Sequence, residues 1–91
     1  MEKIKDIYER FEEAGNLDLA GEVRAACEDV LEDHETFHLL HLDSMYLQGT
    51  LGCLAAAKLI SDDDYSAAME EIFKYLIDKK LTEELEATDN G

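Results

Sequence analysis

The sequence predicts an all-α protein: a small acidic bundle of about four helices, with a central apolar third helix. Three observations point there. Apolar residues recur at three- and four-residue spacing along most of the chain, the period of one helix face. The 91 residues include no Pro, and the five Gly sit singly, so little interrupts a helix. Hydrophobic residues make up 46% of the chain, too many for a disordered acidic tail, so a packed core is expected.

Ile4, Ile7, Tyr8, Phe11 and Ala14 form an amphipathic stripe that predicts a first helix over 2–14. Gly15 stops it, and Asn16 or Asp18 can cap the next. Leu19, Ala20, Val23, Ala26, Cys27, Val30 and Leu31 then hold one face of a second helix over 17–32. The polar run from Glu32 to Thr36 is a turn or a kink, with the break expected near Asp33.

From Phe37 to Ile60 the chain is apolar almost all round, with only Asp43 and Lys58 charged. A third helix over 36–60 should therefore be central or lie in an oligomer interface. Gly49, Gly52, Cys53, Ala56 and Ala57 form a small-residue strip along it. Each Gly costs a helix about 1 kcal/mol relative to Ala, so the strip marks a bend in the helix or a close approach of another backbone, within the chain or in a homodimer. Ser61 followed by Asp62, Asp63 and Asp64 is a helix start, with a capping hydroxyl and carboxylates at the positive end of the dipole. The triplet lacks the alternation, Gly and closing Glu of a calcium-binding loop. Tyr65, Ala68, Met69, Ile72, Phe73 and Leu76 supply the apolar face of a fourth helix over 62–80, with Lys79 and Lys80 suiting its C-terminal end. One helical domain is expected over 1–81, followed by an acidic, fraying tail over 82–91.

Twenty-three Asp and Glu against eight Lys and Arg leave a net charge of −15. Such a surface repels nucleic acid and anionic membrane and attracts basic proteins and cations. The opening residues lack the apolar run of a signal peptide, and no stretch spans a bilayer cleanly. Cys27 and Cys53 both fall within apolar helical patterns and read as buried free thiols in a reducing compartment. Together these features lead to the expectation of a cytoplasmic protein.

His34, His38 and His41 fall within about 60° of one another if they share one helix, and Glu35 adds a Glu-x-x-His pair with His38. Imidazoles four apart can share a metal ion. A carboxylate-bridged two-metal site would need a second such pair, and the chain has none. These four residues are candidate ligands only, and no cofactor is expected. Ser44 has His41 within reach along a helix, but no orienting group or oxyanion hole accompanies them. No phosphate loop, HExxH or CxxC motif is present. The chain reads as a non-enzyme.

The charge carries more. Ten carboxylates and one basic residue, Arg24, lie between Glu12 and Asp43. Asp18, Glu22, Asp29 and Asp33 fall within about 60° around the second helix at steps of about 6, 10 and 6 Å along its axis. Phosphates along a nucleic-acid strand repeat on a similar scale. Ordinary surfaces mix both signs, and an unrelieved excess costs stability, so a binding role is expected. In size, charge and helicity the chain resembles the phage-encoded DNA-mimic inhibitors of restriction or CRISPR nucleases. It is similar in the same respects to the acidic helical immunity proteins of nuclease toxins. That likeness implies a basic, nucleic-acid-binding protein as partner, with no direct contact to nucleic acid. The contact residues would be Glu12, Glu13, Asp18, Glu22, Glu28, Asp29, Glu32 and Asp33. The alternative expectation is a structural or adaptor protein that assembles through the apolar helix 37–60. A second alternative is a His-based metal-binding module.

Overall fold

Ile4, Ile7 and Phe11, spaced three and four apart, are buried and set the inward edge of α1 (Glu2–Glu13). The same spacing places Ala20, Val23, Ala26, Cys27 and Val30 on the buried face of α2 (Leu17–Leu31). Leu40, Ser44, Leu47, Leu51, Leu54 and Ala55 are the buried residues of α3 (Phe37–Ala56). From α4 (Asp62–Asp89) the core takes Ala68, Ile72 and Leu76. The computed structural model describes residues 1–89, and every helix the sequence predicts is present.

α1 packs on α2, α2 on α3, α3 on α4 and α4 back on α1, while the diagonal pairs stay apart. This is an up-and-down four-helix ring with antiparallel neighbours, the arrangement short loops favour. Phe37, at the start of α3, lies by Lys80, late in α4, and Gly52 lies by Tyr65, early in α4. Those two contacts fix the antiparallel register of that pair.

The two loops after α1 and α3 share one geometry. Asn16 N–H donates to the Phe11 carbonyl at 2.8 Å and Gly15 N–H to that of Glu12 at 3.1 Å. Leu59 N–H donates to the Leu54 carbonyl at 2.9 Å and Lys58 N–H to that of Ala55 at 3.0 Å. Both are the paired bonds of a Schellman turn, which needs a left-handed residue just past the helix. Gly15 supplies it at φ 83 and Lys58 at φ 64. The turn at Lys58 ends α3 at Ala56, four residues before the expected end.

Helix starts follow the expected chemistry. Thr36 Oγ1 accepts from Leu39 N–H at 3.3 Å, and Ser61 Oγ accepts from Asp64 N–H at 3.0 Å. Asn16 occupies the cap position of α2 without a side-chain bond. The segment 32–36 is a turn, with Glu32 already extended at ψ 160.

Several expectations are corrected. α3 is not enclosed: it holds one corner of the ring like its partners, and its outward face is open. Its near-uniform apolarity hid which side turns inward. Cys53 is exposed, whereas Cys27 is buried as expected; both are free thiols. Burial pushes the Cys27 thiol pKa up. Leu31 and Phe73 sit at the edges of their stripes and are exposed. α4 runs on to Asp89, so over residues 82–89 the expected tail is an extension of that helix, and Lys79 and Lys80 lie in its interior. Residues 90 and 91 of that tail lie outside the described residues. Among the described residues, no helix is long and apolar enough to cross a membrane.

Candidate acidic interface

The outward side of α2 is built from what its buried stripe leaves over. Asp18, Glu22, Glu28 and Asp29 all point away from the core and are exposed, with Gly21 and Ala25 between them. Both of these residues are small, and the bulky neighbours that reach the carboxylates are Arg24 at Glu28 and Tyr46 at Glu22. Glu12 and Glu13, from the last turn of α1, are exposed as well. Glu32 and Asp33 follow in the turn, so Asp33 does not continue the helical stripe that the sequence placed it in. All eight expected contact residues are solvent-accessible. Those from Asp18 to Asp33 lie along α2 and its C-terminal turn, where Glu35 joins them.

Among the described residues one cation, Arg24, forms ion pairs in this region. Arg24 Nε donates to Glu28 at 3.0 Å, its Nη1 lies 3.7 Å from Glu12, and its guanidinium sits 5.9 Å from the Tyr8 ring centroid. The hydrogen bond to Glu28, joined by the charges of Glu28 and Glu12, raises the Arg24 pKa. Tyr46 donates a long hydrogen bond of 3.4 Å to Glu22. Asp18, Asp29, Glu32, Asp33 and Glu35 have no ion-pair partner among the described residues.

The helix dipole makes this placement unfavourable. The C-terminal end of a helix carries partial negative charge, which favours Lys and Arg and disfavours carboxylates by about 0.3–1 kcal/mol each. α2 has no basic residue in its last turn. Glu28 and Asp29 occupy that turn instead, with Glu32 as the cap and Asp33 and Glu35 just beyond.

The histidines do not share one helix face, because α3 begins only at Phe37. His34 lies in the turn, largely buried, and its Nε2 donates to Asp43 Oδ2 at 2.7 Å. That bond ties the turn to α3 and engages one of the two ring nitrogens. His38 is exposed, and His41 stacks on Phe37 with ring centroids 6.2 Å apart. Glu35 points to solvent. No three His, Cys, Asp or Glu side chains gather as a ligand set among the described residues. Ser44 is fully buried and donates to the His41 carbonyl at 2.8 Å, a bond within the helix rather than one to an imidazole.

The small-residue strip of α3 faces outward. Gly49, Cys53, Ala56 and Ala57 are exposed, and a Cβ built on Gly49 would meet nothing within 4 Å. A Cβ built on Gly52 would lie 3.7 Å from the Tyr65 hydroxyl oxygen, a side-chain and not a backbone neighbour. A close backbone approach within the chain is therefore not what the strip provides.

A cluster that sequence reasoning missed joins α1 to α4. Asp64 pairs with Lys3 Nζ at 2.7 Å and with Arg10 Nη2 at 2.9 Å, while Lys3 N–H donates to the Glu71 carboxylate. The bond from Lys3, aided by Arg10 against the opposing effect of burial, holds the Asp64 carboxyl pKa below its usual value. The one signal in the sequence was a pair of cations on α1 spaced two turns apart. Comparison with protein-family models, with curated proteins and with solved structures finds no match to this chain.

Proposed function

We propose that the protein is a non-enzymatic acidic binding protein that occupies the cationic groove of a nucleic-acid-binding protein, such as a nuclease or a restriction or CRISPR-type effector. Carboxylates take the place of phosphates. The observation that carries this reading is the run Glu28, Asp29, Glu32, Asp33 and Glu35 at the negative pole of α2. The helix dipole disfavours Glu28, Asp29 and Glu32 there, and Asp33 and Glu35 add like charge beside them. Among the described residues only Glu28 of the five lies within ion-pair distance of a cation; Lys79 lines the same groove as Glu32, Asp33 and Glu35 without pairing with them. Rules of local stability are broken where a site needs them broken. A surface kept acidic for solubility alone has no reason to concentrate its carboxylates at that end.

Asp18 and Glu22 extend the run toward the start of α2, giving an acidic edge about 20 Å long at 1.5 Å per residue. Association of this kind is steered by charge and weakens as salt rises.

The test uses the immobilised protein beside a variant carrying Asp29→Lys, Glu32→Lys and Asp33→Lys. The wild type should retain nucleic-acid-binding proteins from a bacterial extract, release them between about 0.1 and 0.5 M NaCl, and yield them to added duplex DNA. The variant should keep its helical circular dichroism and retain none of them. Equal retention by the variant would remove the proposal, as would retention that neither salt nor DNA disturbs.

A further inference from the structure

We infer that the protein pairs with a second copy of itself through the outward face of α3, the two helices antiparallel about a two-fold axis at Gly49. Leu42, Met45, Gly49, Gly52 and Ala56 follow one another at spacings of three, four, three and four. That is the repeat of a helix–helix seam. Here it lies on the solvent side: Leu42 is 48% exposed, Met45 54% and the adjoining Tyr46 60%.

Size and charge together select the occupant. The large residues Leu42, Met45 and Tyr46 occupy one half of the seam, and the small residues Gly52, Cys53 and Ala56 occupy the other. Antiparallel pairing about Gly49 sets Leu42 against Ala56 of the second copy, Met45 against Cys53 and Tyr46 against Gly52. Each projection meets a hollow, and the face is complementary to itself, as a two-fold interface must be. Beyond the helix, the same operation brings exposed Leu39 to exposed Leu59.

Gly49 stands on the axis, where the two backbones come closest. Within one chain nothing approaches its Cβ position, so the helix bears the roughly 1 kcal/mol penalty of glycine without an internal reason. A second backbone at that point gives one.

Two copies at −15 each repel across most of their surface. Along all of α3 the sole formal charge is Asp43, which is turned toward His34. Phe73 and Ile77 of α4 are exposed as well. A specific interface buries roughly 1,000 Å² or more in total, so each protomer has to contribute about 500 Å².

The experiment is sedimentation velocity on the full chain at several concentrations, in about 20 mM and about 500 mM NaCl. The expected result is a species of twice 10.3 kDa whose association strengthens at the higher salt, because screening removes the repulsion between copies. Groove occupancy weakens with salt, so failure of either proposal is visible without the other. Gly49→Leu should abolish the dimer while raising monomer stability, since the side chain has open space in one chain and none between two. A Met45→Cys variant should form a disulfide between the introduced thiol and the native Cys53 on oxidation, located by peptide mapping. Within one helix those positions lie about 12 Å apart, too far for a bond, so that cross-link joins two copies. A monomer at every concentration and salt overturns the inference and leaves the face to a different chain. A dimer that survives Gly49→Leu, or that cross-links Cys53 to Cys53, overturns it also.

Discussion

Lys58 and Gly15 hold the same position in two helix-ending turns, each the left-handed residue directly after a cap, at φ 64 and φ 83. An L side chain in that conformation costs roughly 1 kcal/mol, of which glycine's greater freedom in the unfolded chain returns a part. Lys58→Gly is therefore expected to stabilise the protein by about 0.5 kcal/mol. Gly15→Ala should destabilise it by about 1 kcal/mol. Urea denaturation midpoints check both, and a loss of stability in Lys58→Gly would refute the assignment.

The Asp64 clamp predicts a pH signature. Its carboxyl pKa is depressed in the folded protein by Lys3 and Arg10, so the charged form is favoured by folding. Stability from this source is present above the unfolded carboxyl pKa of about 3.9 and is lost as pH falls through the lower folded value. Asp64→Asn should cost about 1 kcal/mol at neutral pH. The gap between variant and wild type should shrink as pH falls below about 3.9 and close once it passes the lower folded value. A gap of constant size through that fall would show that the ion pairs contribute nothing.

Ser44 and Leu47 are neighbours on the buried side of α3, and both are fully enclosed. They should nonetheless respond very differently to truncation. Leu47→Ala removes a large core side chain and should cost about 3 kcal/mol. Ser44→Ala removes only a hydroxyl bonded back within its own helix, so its effect should stay within about 0.5 kcal/mol. Chemical denaturation of the pair measures the contrast directly.

Charge reversal at the end of α2 should separate stability from binding. Asp29→Lys with Glu32→Lys replaces repulsion by attraction at the helix terminus and makes the net charge less negative. The variant should be more stable than wild type by about 1 kcal/mol at low ionic strength, with the difference shrinking in about 0.5 M NaCl. If thermal melts show it less stable, the carboxylates have a structural role and their placement ceases to argue for a site.

The helices themselves were legible because α1, α2 and α4 keep their apolar residues on one side at helical spacing, as Ile4, Ile7 and Phe11 do. The C-terminal end of α3 was not, because Lys58 takes a position where glycine is the usual sign. Nor was the direction α3 faces: with Leu39, Leu42 and Met45 outward and Leu40, Leu47 and Leu51 inward, both sides read alike. The acidic residues of α2 could be placed outside simply because the inner stripe was full. The Asp64 clamp joins residues about 60 positions apart in the chain, and no local pattern carries such a pairing. His34 looked like a member of a helical trio until the turn at 32–36 separated it from His38 and His41.

Closing the ring has a kinetic side. The α1–α2, α2–α3 and α3–α4 pairings join neighbours in sequence and form over short loops, whereas docking α4 on α1 spans about two-thirds of the chain. Such long-range contacts tend to form after the local ones on a folding route. Interactions absent from the transition state act on the rate of unfolding and leave the rate of folding nearly untouched. Lys3, Arg10 and Asp64 therefore work as a latch: they set how long the folded bundle persists more than how quickly it is reached.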